Sequence, residues 1–141
     1  MDYEYFLQRI HGVIMPSTGC TEPVAIALNT ATARANAQGE VRHLTITLDN
    51  YLYKNAMGVG IPGADERGVA LCAAMGVTAG DATAKMRVLD HVSPEALGAA
   101  KKMVAEGRVT VKTRSDVHGL LVESVGWRSL FMLVTALAVL I

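Results

Sequence analysis

The stretch from Pro16 to Pro23 constrains this chain most, because it must end one helix and begin the next within a few residues. From Val24 to Ala35 the apolar residues recur at three- and four-residue steps, which predicts a helix with one buried face. Gly39 ends this pattern. Thr21 is the predicted N-cap, and Pro23 falls in the first turn, where a missing N–H breaks no intrahelical bond.

Cys20 lies just outside the start of this predicted helix. Unpaired amides and the positive end of the helix dipole stabilise a thiolate there, so the cysteine is a candidate nucleophile, base or metal ligand. Ser17, Thr18 and Thr21 place three hydroxyls beside it, and Gly19 lets the backbone come close to a ligand. The alternative is a packed and inert side chain.

Two motifs carry a family resemblance. Residues 17–27 read STGCTEPVAIA, and residues 54–63 read KNAMGVGIPG. In this order they resemble the L-cysteine desulfidase family, which is also catalogued as a family of uncharacterised proteins. That family is related to the alpha subunit of iron-sulfur L-serine dehydratases. The resemblance covers roughly residues 5–115 and then fades.

The resemblance implies a lyase that removes sulfide from L-cysteine and leaves an enamine, which hydrolyses to pyruvate and ammonia. It implies an iron-sulfur cluster (4Fe-4S) rather than pyridoxal phosphate, and no Schiff-base lysine motif is evident in the sequence. L-Serine is the close alternative substrate. Cys20 would be either a cluster ligand or the base that removes the α-proton, and Lys54 would be the second catalytic residue.

The same resemblance implies that small side chains and backbone amides around Cys20 and Lys54 bind an amino acid substrate. Lys54 suits a substrate carboxylate, and Asn55 completes the pocket. The predicted substrate-binding residues are Ser17, Thr18, Gly19, Thr21, Glu22, Asn55, Gly60 and Gly63.

The main obstacle is the small number of cysteines, since a cluster generally needs several thiolates. The chain has two, Cys20 and Cys72, and the aliphatic neighbours of Cys72 predict a buried, inert thiol. Members of the resembled family carry further cluster cysteines in a C-terminal region. We therefore expect an amino-terminal portion that is inactive unless another chain supplies ligands. The second hypothesis is a non-catalytic remnant or an assembly module, which would associate with further copies of itself as a homo-oligomer.

The glycines from Gly58 to Gly63 match the dinucleotide-binding pattern G-x-G-x-x-G, with a predicted strand before them and a predicted helix after them. A clear βαβ unit is missing from the pattern, and Pro62 removes one amide that a phosphate would use. Nucleotide binding is therefore the third hypothesis. The other interpretation is a wall of the amino acid site, reached by a bulged strand or hairpin that delivers Lys54 and Asn55.

The patterns predict a helix-rich α+β fold in a single domain. An amphipathic first helix covers about residues 5–13 and ends before Pro16. A run of small residues predicts a central helix over residues 66–80, and Ser93 is the predicted N-cap of a helix that ends near Glu106. His11 and His118 are interpreted as structural or solvated side chains.

Two segments have the alternation and β-branching of strands, residues 41–48 and 109–113, and are predicted to pair in a small antiparallel sheet. Residues 1–122 are the predicted amino-terminal part of a serine dehydratase alpha-like or cysteine desulfidase-like domain. Residues 123–141 form an atypical apolar tail, whose uncharged run is shorter than the roughly 20 residues that span a bilayer. It predicts a buried terminal helix and no membrane span.

The composition limits the kinds of partner that the chain is expected to bind. Thirteen basic and thirteen acidic residues cancel, which argues against nucleic acid or an anionic membrane as a partner and favours a small molecule or a protein surface. With 51% hydrophobic residues the chain has enough apolar surface for one packed core. The acidic start and the two cysteines indicate the reducing cytoplasm rather than a secreted, disulfide-linked protein.

Overall fold

A computed structural model describes residues 3–117, 119–127 and 132–137. Its helices are α1 (Tyr3–Val13), α2 (Thr21–Asn36), α3 (Asn50–Gly58), α4 (Val69–Thr78), a 3₁₀ helix (Ala82–Arg87) and α5 (Pro94–Ala105). Its strands are β1 (His43–Asp49), β2 (Val109–Arg114), β3 (Val122–Trp127) and β4 (Met132–Leu137). The helix-rich α+β domain predicted from the sequence is confirmed.

The four strands of the described residues form one mixed sheet in the order β2-β1-β3-β4. The predicted pairing of the strands near residues 41–48 and 109–113 is confirmed, but their predicted antiparallel direction is wrong. β1 and β2 run parallel, with Leu44 opposite Val109, whereas β3 is antiparallel to both β1 and β4. Parallel neighbours need a long crossover connection, and the helices between β1 and β2 provide it.

The core lies between one face of the sheet and the pair α2 and α4. Residues of β1 alternate between partly exposed and buried, so Leu44, Ile46 and Leu48 all point into the core. Their apolar surface packs in the same cluster as Ile26 of α2 and Met75 of α4. Burial of such side chains contributes on the order of 2 kcal/mol each to folding.

Helices α2 and α4 approach closely because small residues face each other. A Cβ added at Gly76 would lie 2.9 Å from the Cα of Ala27 and would overlap the Thr30 hydroxyl. A Cβ at Gly80 would lie 2.6 Å from the Cβ of Ala31. The central helix, predicted over residues 66–80, is shorter and covers Val69–Thr78.

Helix α1 forms where the sequence predicted it, but none of its residues is buried. The apolar face expected to support the Cys20 turn is largely exposed: Val13 is 80% exposed and Phe6 is 48% exposed. The helical bonding continues one residue further, since the Ile14 N–H donates to the Ile10 carbonyl over 2.8 Å. Pro16 then follows the helix, as predicted.

The apolar tail does not form the predicted terminal helix in its described part. Residues 122–127 and 132–137 are strands β3 and β4, with Val125 opposite Val134. Val, Leu and Thr favour strands, and pairing with β1 satisfies the β3 backbone, which explains the difference. No helix of the described residues is long and apolar enough to cross a membrane. His118 lies outside the described residues.

We expect Gly76→Ala to destabilise the protein by about 1–3 kcal/mol, because the added methyl group overpacks the contact between α2 and α4. Gly98→Ala in α5 is the matched control, since its added Cβ meets no atom within 4 Å. The control should stabilise the protein by roughly 0.5–1 kcal/mol through helix propensity. Urea unfolding of both variants measures the difference, and equal effects would contradict the close helix contact.

Candidate functional site

Cys20 is itself the N-cap residue of α2, one position before the predicted cap Thr21. Its backbone is extended (φ −69°, ψ 138°), and no side chain caps the first amides of the helix. The thiol is exposed. An uncapped helix start of this kind leaves the first amide donors of α2 beside the residue that carries the sulfur.

The loop that carries Cys20 is held by the segment that follows the 3₁₀ helix. The Thr18 hydroxyl donates a hydrogen bond to Oδ1 of Asp90, and the Thr18 N–H donates to the Met86 carbonyl over 3.3 Å. Gly19 has a φ of +77°, and a Cβ there would lie 3.0 Å from Cγ of Pro62. Glycine is therefore required both for this backbone conformation and for the approach to Pro62.

A cavity of about 270 Å³ borders this contact, and its polar lining residues are Asp81, Arg87, Asp90 and His91. The Thr18 hydroxyl, followed by Arg87, holds the pKa of the Asp90 carboxyl below its usual range. The Thr83 hydroxyl and its amide lower the pKa of Asp81 in the same way. Both carboxylates are thus ionised at neutral pH.

On the other side of Cys20, the first turn of α2 contacts α3. Oε1 of Glu22 accepts a hydrogen bond from Nδ2 of Asn55 over 3.3 Å, and Oε2 accepts one from the Thr21 hydroxyl over 3.3 Å. The structure therefore brings together Thr21, Glu22 and Asn55 of the predicted binding residues. Ser17 is exposed in the same loop.

The structure does not place Lys54 with Thr21, Glu22 and Asn55. Lys54 lies on α3, where a continuing strand or hairpin was predicted, because Asp49 ends β1 and caps the helix at once. Lys54 lines a separate cavity of about 330 Å³ with Asn50, Arg114 and Ser115. Its predicted catalytic role beside Cys20 has no support from this geometry and stays a prediction.

The glycine-rich loop also departs from the predicted context. Helix α3, not a strand, precedes it, which removes the strand–loop–helix arrangement that dinucleotide binding requires. The backbone of Gly60 bridges to Arg67, and Gly63 (φ +79°) packs against Val92. The glycine-rich loop is therefore a compact connection between α3 and α4.

Cys72 is buried, as predicted, and its Sγ donates to the Pro23 carbonyl over 2.8 Å. Burial raises its pKa to about 12, so the thiol is protonated and unreactive near neutral pH. Cys20 is thus the single accessible thiol of the described residues. Within those ranges, His, Cys, Asp and Glu side chains form no group of three or more that suits a metal ion.

Sequence reasoning missed the residues that hold the Cys20 loop. Asp90, Arg87 and Met86 carry no motif, and the Thr18–Asp90 contact joins residues 72 positions apart. It also missed Asp49, which is 1% exposed and accepts from the Tyr51, Leu52 and Leu121 amides. An aspartate directly before a helix is an N-cap signal, so Asp49 was detectable. Asp90 was not.

The chain is similar to UPF0597 proteins. It is 39% identical over 115 residues to one from Shewanella sp. (strain MR-7), covering 81% of this chain and 27% of that protein. It is 40% identical over 111 residues to one from Porphyromonas gingivalis, which covers 78% of this chain and 26% of that protein. It is 36% identical over 119 residues to YhaM of Salmonella paratyphi C, which covers 84% of this chain and 27% of that protein. The chain therefore spans about a quarter of these relatives.

No family model matches the chain, and no solved structure matches it. The names of the UPF0597 relatives correct the family predicted from the two motifs. Those relatives are not named L-cysteine desulfidases or serine dehydratases, so the predicted family is wrong by this comparison. The two motifs together cover only 21 residues, 11 and 10, and such short segments identify a local site better than a family activity.

We expect iodoacetamide to alkylate Cys20 at least about a hundredfold faster than Cys72 in the folded chain, because Cys20 is exposed and Cys72 is buried with a raised pKa. Peptide mapping by mass spectrometry measures both rates. In urea the two rates should converge, which serves as the control. Faster labelling of Cys72 under native conditions would overturn the assignment.

Lys85 adopts φ 52° and ψ −121° within the 3₁₀ segment, a conformation that favours glycine. Lys85→Gly should therefore stabilise the chain by about 1 kcal/mol, whereas Lys85→Ala keeps the strain and should change stability by less than about 0.5 kcal/mol. Urea midpoints of the two variants decide this. A destabilised Lys85→Gly would contradict the strained backbone.

Proposed function

We propose that this chain supplies the cysteine-bearing loop of a lyase that eliminates sulfide from L-cysteine. The observation that carries the proposal is the exposed Cys20 thiol at the uncapped start of α2. A thiol fixed at this position is accessible to a small substrate, and the adjacent amides can bind a substrate carboxylate. The remaining cysteine is too deeply buried to take this role.

In the proposed reaction the Cys20 thiolate removes the α-proton of the substrate. The electron pair of the broken C–H bond forms the double bond between Cα and Cβ, while the C–S bond breaks and its electron pair leaves with the sulfur. A proton turns the leaving hydrosulfide into hydrogen sulfide. The enamine tautomerises to an imine, which one water hydrolyses to pyruvate and ammonia. L-Serine would follow the same course with water as the leaving group.

Neighbouring residues orient the substrate in this proposal. The Ser17 hydroxyl is exposed beside Cys20, whereas the Thr18 hydroxyl is committed to Asp90. Glu22, at the first turn of α2, attracts the substrate ammonium group and is itself held by Asn55. Glycine at position 19 leaves the backbone beside the thiol open.

An iron-sulfur cluster does not fit the thiols of the described residues. Such a cluster is held by several cysteine thiolates, and Cys20 is accessible whereas the Cys72 thiol is buried and bonded to the Pro23 carbonyl. We therefore assign no step to a cluster within this chain. Activation of the leaving group is assigned to a surface outside these residues. A reducing compartment such as the cytoplasm suits the exposed thiol.

A second candidate function is that of a non-catalytic assembly module. Helix α1 favours it, because an isolated helix of this length is marginal in water and none of its residues is buried. Its exposed apolar side chains would be covered in an assembly.

We expect the purified chain alone to release no sulfide from L-cysteine at an enzymatic rate. In a chimera, this chain replaces the aligned segment of the Porphyromonas gingivalis relative, and sulfide and pyruvate should appear in equal amounts. Cys20→Ser should lower that rate by about a hundredfold or more, the usual contribution of a general base. Cys72→Ser is the matched control, because serine can still donate to the Pro23 carbonyl.

Sulfide release that survives Cys20→Ser in the chimera would refute the role of Cys20. A chimera that folds and releases no sulfide, beside an active parent, would refute the proposed contribution of this chain. Turnover by the isolated chain would contradict the assignment of leaving-group activation to another surface.

A further inference from the structure

We propose that Asp90 is a positioning residue that fixes Cys20 at the start of α2 by anchoring the loop through Thr18. Both carboxylate oxygens of Asp90 are used. Oδ1 accepts a hydrogen bond from the Thr18 hydroxyl, and Oδ2 accepts one from Nε of Arg87 over 2.6 Å. A charge-assisted contact with two partners on one carboxylate fixes its orientation better than either contact alone.

The anchor acts on Cys20 because Thr18 is only two residues before it. The Thr18 hydroxyl and the Thr18 N–H are both held, the latter by the Met86 carbonyl over 3.3 Å. Between the anchor and the thiol lies Gly19, whose left-handed conformation leaves the direction of the chain dependent on its neighbours.

The segment that carries Asp90 is anchored in the hydrophobic core. Val88 and Leu89, directly before it, are each 2% exposed and belong to the hydrophobic core. The Asp81 N–H donates to the Val88 carbonyl over 3.1 Å, and the Asp90 N–H donates to the Arg87 carbonyl over 3.0 Å. A loop tied to this segment therefore takes its position from the core.

The Arg87 guanidinium favours the ionised Asp90 carboxylate at neutral pH, and His91 and Asp81 are the other titratable groups near it. Arg87 faces it directly, His91 follows it in the chain, and Asp81 lies across the same cavity. The pKa of Asp90 is lowered, chiefly by the Thr18 hydroxyl. A lowered pKa means that the contact stabilises the loop above the usual carboxyl range and is lost as the pH falls through the folded-state value.

This inference rests on the proposed role of Cys20, but its test needs no turnover. The rate of Cys20 alkylation by iodoacetamide at pH 7 is measured in the full chain. Thr18→Val removes the hydroxyl without changing the size of the side chain, and Thr18→Ser keeps the hydroxyl. Asp90→Ala is matched by Asp81→Ala, which removes a carboxylate of the same cavity that caps the 3₁₀ helix through Thr83 and forms no hydrogen bond to the Cys20 loop among the described residues.

Thr18→Val and Asp90→Ala should each slow Cys20 alkylation about two- to fivefold, because a thiol that drifts from the start of α2 no longer has the first amide donors of the helix beside the reacting sulfur. Thr18→Ser and Asp81→Ala should label at the rate of the unchanged chain. The double variant Thr18→Val/Asp90→Ala should be no slower than either single variant, since both remove the same contact.

Unchanged rates in Thr18→Val and Asp90→Ala would overturn the proposal. Faster labelling in these variants would also overturn it, because the contact would then shield the thiol rather than position it. So would an equal loss in Asp81→Ala, which would indicate a general effect of charge. If Asp90→Ala fails to fold, the pair Thr18→Val and Thr18→Ser decides alone. Loss of sulfide release in the chimera with intact labelling differences would refute the lyase and leave the anchor standing.

Discussion

The close contact between α2 and α4 is the interaction on which the rest of the structure depends. Gly76 allows the two backbones to approach, and beside this contact the Cys72 thiol donates to the Pro23 carbonyl in the first turn of α2. The start of α2 is thereby fixed against a buried helix. Since Cys20 is the residue that begins α2, core packing holds the helix end that carries the exposed thiol, while the Thr18–Asp90 contact holds the loop before it.

A second constraint acts at the end of β1, where the buried Asp49 carboxylate joins three parts of the chain. It caps α3 through the Tyr51 and Leu52 amides and holds the segment before β3 through the Leu121 amide, over 2.8 Å. The abrupt change from strand to helix turns α3 so that Asn55 meets Glu22 while Lys54 lines another cavity. Two adjacent residues of one motif thus serve different surfaces, because neighbours on a helix point in different directions.

Local chemistry made much of the fold predictable. Helix α2 follows from its apolar spacing, α5 from the Ser93 cap, whose hydroxyl accepts from the Ala96 amide, and the burial of Cys72 from its aliphatic neighbours. Long-range relations were not predictable in this way. The parallel direction of β1 and β2 depends on how the intervening helices cross, and the Thr18–Asp90 contact joins residues 72 positions apart, which no local pattern relates. The strands in the tail were missed because a short apolar run suits a helix and a strand equally well.

The position of α1 bears on how an open site of this kind would work. In the proposed elimination, a site closed to water would strengthen the polar contacts with the substrate, yet Cys20 and the loop around it are exposed. The exposed apolar residues of α1 continue through Met15 to within a few positions of Cys20. A surface that covered α1 and Met15 would therefore lie within a few residues of Cys20 along the chain, and under the proposed function the same surface could carry the groups that activate the leaving sulfur. Under that function the burial of α1 and the completion of the site would be linked, because one partner surface would supply both.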